Sequence, residues 1–232
     1  MKIALFGYGK MGKMIESLAL ARNHEIVAKI DIDTVDIPYN EIDIAIDFST
    51  PEAAFQNITE CFKNNIPVIS GTTGWLSNYE EAIAICDKNN GAFIYASNFS
   101  LGVNLFFELN QKLAKMMQGV SGYRTSIEEI HHTQKLDAPS GTAITLAEGI
   151  LDNSAYKTWK LDGEKEQELS IHSIREGQVP GTHTIAYKSE VDSIEIKHTA
   201  HNREGFALGA IIAAEWLVGK TGVYSMKDVL NL

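Results

Sequence analysis

Two clusters in the chain have the residue types and spacing to do chemistry. The first is Gly7-Tyr8-Gly9-Lys10-Met11-Gly12, a G-x-G-x-x-G pattern directly behind the apolar run Lys2-Phe6. It opens a stretch with Met11, Ile15, Leu18 and Ala19 at helical spacing. Glycines there permit a tight turn and bring backbone N–H groups against a pyrophosphate, and the positive end of the helix dipole favours that anion. Asp31 follows Gly12 by nineteen residues, at the end of the next strand-like run, about where a carboxylate accepts hydrogen bonds from an adenosine ribose. That context outweighs the plainer reading of Asp31 as a solvated strand-end acid. A carboxylate repels a 2'-phosphate, and Ile32 and Asp33 come next rather than an arginine. The pattern therefore predicts NADH as the preferred cofactor, with NADPH possible and Lys10 the nearest residue to tolerate it.

The second cluster is His131-His132-Thr133-Gln134-Lys135-Leu136-Asp137-Ala138-Pro139-Ser140-Gly141-Thr142. Adjacent histidines on a continuing strand point to opposite faces, so they should have different jobs, and that geometry disfavours a metal pair. Ser140-Gly141-Thr142 starts a helix carrying Ile144, Ala147, Ile150 and Leu151, whose free N–H groups make an anion site. An imidazole, an ammonium and a helix start within twelve residues suit a carboxylated substrate. A polar connection with incidental histidines is the plainer alternative. Two loops, Gly71-Thr72-Thr73-Gly74 and Ser97-Asn98-Phe99-Ser100, follow strand-like runs at the edge where open parallel sheets bind ligands. Ordinary turn chemistry explains their composition equally well.

These residues need elements to hold them. Up to about residue 97 the chain alternates short apolar runs (Lys2-Phe6, Glu25-Ile30, Ile42-Phe48, Pro67-Ser70, Ala92-Ala96) with helical stretches, the pattern of a parallel sheet covered on both faces. Thr50-Pro51 reads as a helix start, and Ser77-Asn78-Tyr79-Glu80 has capping-box spacing. Beyond Asn98 the rhythm changes. A long amphipathic helix is marked by Val103, Phe106, Phe107, Leu113, Ala114 and Met117, and alternating segments follow at Thr125-Ile130, Glu168-Ile174, Thr182-Tyr187 and Ser193-Thr199. Such strands form an antiparallel or mixed sheet with one face to cover, which a partner subunit could supply. Phe206 to Leu217 is helical and apolar, and returns the chain to the first domain. The fold class is thus α/β, a Rossmann dinucleotide-binding domain (1–100 and 206–232) interrupted by an α+β substrate and oligomerisation domain (101–205) with a mixed, largely antiparallel sheet.

Composition narrows the partners. Among 232 residues, 30 Asp and Glu against 20 Lys and Arg give a net charge of -10, which argues against nucleic acid. Cys61 and Cys86 show no metal-ligand spacing and read as reduced core residues. No apolar run resembles a signal peptide, and the longest, Phe206 to Ala214, falls short of the ~20 residues that span a bilayer. The expectation is a soluble, cytoplasmic protein.

Taken together, the chain resembles the dihydrodipicolinate reductases, also named 4-hydroxy-tetrahydrodipicolinate reductases, of the diaminopimelate route to lysine. The resemblance covers nearly the whole chain. It rests on Gly7 to Gly12, Asp47-Phe48-Ser49, Gly71 to Gly74, Asn98-Phe99-Ser100, Glu129-Ile130-His131-His132 through Lys135 to Ala143, Arg175-Glu176-Gly177 with Pro180-Gly181-Thr182, and Trp216 to Lys220. It implies NAD(P)H-dependent reduction of a small cyclic dicarboxylate by a homotetramer. It also implies roles: His131 as catalytic acid/base, Lys135 as proton donor, and His132, Ser140, Gly141 and Thr142 as substrate ligands. Gly7, Tyr8, Gly9, Lys10, Met11, Gly12, Asp31, Gly71, Thr72, Thr73, Ala96, Ser97, Asn98 and Phe99 would hold the nucleotide. Residues 32 to 42 are shorter than in many relatives, which bears on any NADP contacts there. Another dehydrogenase, acting on an amino acid or a semialdehyde, or a non-catalytic NADH sensor, would use the first half of the chain but not His131 to Thr142.

Overall fold

The structure is a computed structural model that describes residues 1–34, 36–163 and 165–232. The chain forms two compact units, one of residues 1–101 with 204–232 and one of residues 102–203.

The first unit is built on six parallel strands: β1 (Lys2–Phe6), β2 (Glu25–Ile30), β3 (Ile44–Asp47), β4 (Val68–Ser70), β5 (Ala92–Tyr95) and β11 (Gly222–Tyr224). Their order is β11-β5-β4-β3-β1-β2. The inner strands β1, β3, β4 and β5 are buried on both faces, so they read as continuous apolar runs. Ile3, Leu5, Ile44 and Ile46 face a core shared with α1 (Lys10–Ala21) and α6 (Glu204–Leu217). Ala4, Phe6 and Ala45 face the opposite core, with α2 (Pro51–Lys63) and α3 (Tyr79–Lys88). Burying a ring such as Phe62 or Phe93, neither of which is exposed, contributes roughly 1.5–3 kcal/mol each.

The chain goes from β1 to β2 on one side and to β3 on the other, so the strand order reverses at β1. That reversal opens a crevice at the carboxyl ends of β1 and β3, where such sheets bind ligands. On α6, a side chain at Gly209 would put its Cβ 1.8 Å from the Phe99 carbonyl oxygen, so only glycine lets this helix lie against the 96–99 loop.

Thr50 precedes α2 with Pro51 at its first position, as expected. The capping box at Ser77 does not form: residues Leu76–Asn78 make a 3-10 turn, α3 begins only at Tyr79, and the Ser77 hydroxyl donates to Asn78 Oδ1 at 2.8 Å. The sequence reading also missed β11 and α7 (Met226–Leu230), because three and five residues carry too little periodicity.

The second unit has a five-stranded mixed sheet in the order β10-β9-β6-β8-β7. Its strands are β6 (Arg124–His131), β7 (Thr158–Leu161), β8 (Glu168–Arg175), β9 (Gly181–Lys188) and β10 (Ser193–Ala200). Two of its four pairings are parallel and two antiparallel. The helices α4 (Leu101–Met117) and α5 (Gly141–Leu151) cover one face, where Ile127, Ile171, Ile185 and Tyr187 pack with Phe106, Leu146 and Ile150. The other face carries Glu128, His172, Lys188, Glu195 and Lys197, all exposed. No helix of the described residues is long and apolar enough to cross a membrane.

Candidate active site

At the crevice of the first sheet, the Gly7 N–H donates to Ile30 O and the Phe48 N–H to Phe6 O, both at 2.8 Å, which draws the two loops together. Gly7 has φ +86, and a Cβ there would lie 2.2 Å from Phe48 O. At Gly12 a Cβ would lie 2.4 Å from Gly7 O, so this glycine lets α1 start tight against the turn. Gly9 differs, because nothing lies within 4 Å of its would-be Cβ. Two glycines are thus required by the protein itself, and the third leaves open space at the helix start. A cavity of about 610 Å³ beside this loop is lined by Gly7, Tyr8, Gly9, Asp31, Tyr39 and Ser49, among others. None of its lining residues is Lys, Arg or His, among the described residues. Asp31 is exposed, and its carboxylate accepts from the neighbouring Ile32 N–H at 3.0 Å. Lys10 and Met11 start α1 outside this lining. The 32–42 connection borders the cavity through Ile32, Thr34, Ile37 and Tyr39, while residue 35 lies outside the described residues.

The loops after β4 and β5 reach the same carboxyl edge of the sheet. Gly71 and Thr73 are accessible, whereas Thr72 is buried and its hydroxyl is committed, donating to Asp47 Oδ2 at 2.7 Å and accepting from the Ser49 N–H at 2.9 Å. Ser97 is exposed, Ala96 and Asn98 are half-buried, and the Phe99 ring is buried. Asp47, at the end of β3, was given no role in the sequence reading. It is buried and also accepts from the hydroxyls of Ser49 (2.6 Å) and Ser70 (2.8 Å). Burial pushes its carboxyl up, against those hydrogen bonds. One buried acid thus ties the loops after β3 and β4 together.

In the second unit the histidine segment closes around another buried acid. β6 alternates, with Thr125, Ile127, Glu129 and His131 on its buried side. His131 is the last strand residue and is buried, while His132, just beyond, is half-buried, so the two do separate. Glu129 is fully buried. Its Oε1 accepts from Ser173 Oγ at 2.8 Å and from Arg175 Nη2 at 3.1 Å, and both oxygens lie 3.1 Å from the Ser140 N–H. Oε2 faces His131 Nδ1 at 3.5 Å and His183 Nε2 at 3.7 Å. Burial pushes the Glu129 carboxyl up, but His183, Ser140, Ser173 and Arg175 outweigh it and hold it far below the usual carboxylate range. His131 is held down at about 4, first by burial, then by His183, against the pull of Glu129. Its imidazole is therefore neutral near pH 7.

Ser140 caps α5, its Oγ accepting from the Ala143 N–H at 3.2 Å. Gly141 and Thr142 form the first turn, whose N–H groups have no partner within the helix. A Cβ at Gly141 would meet nothing within 4 Å, so the approach to these donors is open. Lys135 is half-buried with its Nζ 2.8 Å from Asp137 Oδ1, and it lies near enough to His131 to lower that residue's pKa. Arg175 also donates to the Asp137 carbonyl at 2.6 Å, bracing the loop that carries Lys135 to the helix start.

Residues 1–99 match the family described as dihydrodipicolinate reductase, N-terminus, and residues 102–230 the one described as dihydrodipicolinate reductase, C-terminus. The chain belongs to the dihydrodipicolinate reductase family. A curated 4-hydroxy-tetrahydrodipicolinate reductase from Christiangramia forsetii is 62% identical over all of this chain and 98% of its own length. Another, from Methanoregula boonei, is 37% identical over 90% of this chain and 82% of its own. The solved structure of a dihydrodipicolinate reductase from Paenisporosarcina sp. TG-14 shares the fold, with a TM-score of 0.77 at 24% identity over 97% of each chain. An aspartate semialdehyde dehydrogenase from Vibrio cholerae shares the fold more loosely, with a TM-score of 0.55 at 12% identity over 94% of this chain and 98% of its own. The reductase is accordingly an NAD(P)H-dependent oxidoreductase of lysine and diaminopimelate biosynthesis.

Glu129, Ser173, Arg175 and His183 of the reductase had no assigned role in the sequence reading. One signal was available: Glu129 is an acid at a core-facing position of an alternating strand. Glu129, His131 and His183 also bring one carboxylate oxygen and two ring nitrogens within 4.8 Å of one another. With Arg175 already balancing the carboxylate charge, the group reads as a hydrogen-bonded network and not as a metal centre.

Proposed function

We propose that the reductase binds its dicarboxylate substrate at the carboxyl end of β6 and takes NADH in preference to NADPH. The observation that carries this reading is the gathering of a neutral imidazole and an open helix N-terminus on one buried acid, with the Lys135 ammonium near enough to act on that imidazole. His132, Gly141 and Thr142 hold the two carboxylates through side-chain donors and first-turn N–H groups, with the buried Ser140 beside them as the helix cap. That the Paenisporosarcina relative is described with dipicolinate bound, a planar dicarboxylate, supports this assignment.

The open space at Gly9, between two sterically required glycines, fits a pyrophosphate. Gly7 to Gly12, Asp31, Gly71 to Thr73 and Ala96 to Phe99 hold the nucleotide, Thr72 and Phe99 through their backbone because their side chains are buried. Asp31 beside a cavity without basic lining favours a free 2'-hydroxyl over a 2'-phosphate. NAD(P)H, when bound, supplies the hydride.

The chain's own share is orientation and one proton. After hydride reaches the ring carbon conjugated to the imine, the displaced electron pair must be matched by a proton. His131 is neutral, so the proton delivered to the substrate comes from the Lys135 ammonium, directly or relayed through His131. The first-turn N–H groups and Lys135 stabilise the negative charge as it develops. We assign residues 1–100 and 206–232 to the nucleotide and 101–205 to substrate and assembly. The open face of the second sheet supports a homotetramer, and the biosynthetic role a cytoplasmic location.

Steady-state oxidation of both cofactors, with enzymatically generated substrate, tests the reading. The expected result is turnover with a higher kcat/KM for NADH. A higher value for NADPH would overturn the cofactor assignment, and NADH binding without turnover would favour a sensor.

A further inference from the structure

Glu129 is costly to bury unless it does something there, because an anion taken out of water needs a matched set of partners. The partners come from three strands and one helix: Ser173 and Arg175 on β8, His183 on β9, His131 on β6 itself, and Ser140 at the start of α5. Most of them touch Oε1 or straddle both oxygens, while Oε2 is turned toward two imidazoles. Among the described residues the buried His131 Nδ1 atom has no hydrogen-bond partner, and Glu129 Oε2, 3.5 Å away, is the acceptor facing it. On the other side of the ring, a Cβ at Gly181 would stand 3.2 Å from Nε2, so glycine there leaves this nitrogen its space.

We infer that Glu129 is a positioning residue of the reductase: its carboxylate selects the Nδ1–H tautomer of His131, leaves Nε2 free toward the substrate, and locks that ring to the carboxylate-binding helix start through Ser140. This rests on the assignment of His131 and the α5 N-terminus to the substrate. The proton on one ring nitrogen is set by the bond the other makes, so an anion behind Nδ1 decides what Nε2 can accept. Arg175 supplies the charge balance that keeps Glu129 ionised, and its second bond to the Asp137 carbonyl carries the same restraint to the Lys135 loop. His183 stands on the flank, with its ring centroid 5.1 Å from that of His131 and its Nε2 3.3 Å from Ser140 Oγ, closing the gap through which His131 could turn away. The charged and titratable groups facing His131 are therefore Glu129, His183, Lys135 and Arg175.

The test compares wild type with Glu129→Gln and Glu129→Asp in the full chain with NADH bound. Three quantities are read: NADH affinity, kcat and substrate KM, and the tautomer of His131 from ring-nitrogen NMR shifts in histidine-labelled protein, assigned with His131→Asn. The expected result is unchanged NADH affinity, a His131 that loses its uniform Nδ1–H signature in Glu129→Gln, and kcat lower by roughly 10- to 100-fold, a part of the ~10²–10⁴ that a positioned acid–base group contributes. Glu129→Asp keeps the charge that Arg175 needs and recovers part of both, and it serves if the Gln variant fails to fold. A folded variant with wild-type tautomer and kcat would overturn the proposal, because a purely structural acid would not set the ring. The tautomer is read without turnover, so an inactive wild type would refute the substrate assignment while the NMR still decides the role of Glu129.

Discussion

Gly9→Ala separates the two jobs of the glycine loop, because the structure assigns it opposite effects on stability and on cofactor binding. Gly9 has φ -79 and ψ -153, extended backbone open to alanine, and the added methyl meets nothing within 4 Å. With no clash, the substitution only narrows the unfolded ensemble, worth about 0.4–1 kcal/mol of stabilisation. At ~2–4 °C per kcal/mol for a chain of this size, Tm should rise by about 1–4 °C. The same methyl occupies the space in front of the helix start, where N–H groups must come within bonding distance of a pyrophosphate. Losing one such charge-assisted bond costs about 1.5–3 kcal/mol, a weakening of NADH binding by roughly ten- to a hundredfold.

Gly12→Ala is the control. Its Cβ would stand 2.4 Å from a backbone oxygen, where ordinary contact begins at 3.4 Å, so the turn must move by about 1.0 Å. Overpacking of that kind costs about 1–3 kcal/mol, which lowers Tm by roughly 2–12 °C and loosens the cofactor site as well. Differential scanning fluorimetry and NADH fluorescence titration read both quantities. Wild-type NADH affinity in Gly9→Ala would refute the pyrophosphate assignment, and a fall in its Tm would refute the reading of open space.

Three further outcomes follow from the same geometry. Thr142→Val should mainly raise substrate KM in steady-state kinetics; loss of NADH binding with KM unchanged would contradict its place at the carboxylates. Asp31→Ser should reduce the kcat/KM ratio of NADH to NADPH by about tenfold, or ~1.4 kcal/mol, and an unchanged ratio would remove Asp31 from cofactor choice. Glu215 is held below its usual 4.5 by Arg22 at 2.7 Å and by His24 at 2.8 Å. Its folded pKa is depressed, so the stability it adds is present above pH 4.5 and lost as pH falls through the lowered value. The Tm difference between wild type and Glu215→Gln should therefore shrink on acidification below pH 4.5; a difference that grows would reverse the sign.

The parts of the fold that were legible in the sequence are those where one period dominates. Strands β1, β3, β4 and β5 are buried on both faces and so read as apolar runs, and α4 shows its buried stripe at Val103, Phe106 and Ala114. The glycine loop and the His131 to Thr142 segment were legible because their chemistry is local, within six and twelve residues. What lies around them was not. Glu129 gains its meaning from Ser173, Arg175 and His183, more than forty residues away and brought alongside only by the β6–β8 and β6–β9 pairings. Asp47 likewise depends on Ser70 and Thr72 across the β3–β4 pairing. In both cases an acid ends or interrupts an apolar strand, a local anomaly whose partners cannot be named before the sheet is built.

The central claim is that the Lys135 ammonium supplies the proton in a pocket where His131 is neutral. NADH oxidation followed by nicotinamide absorbance in Lys135→Ala, beside wild type and with substrate generated in the assay, tests it most directly. The expected result is that NADH affinity holds while kcat falls by ~10²-fold or more, the contribution of a positioned acid–base group. A Lys135→Ala enzyme that turns over at the wild-type rate would contradict it.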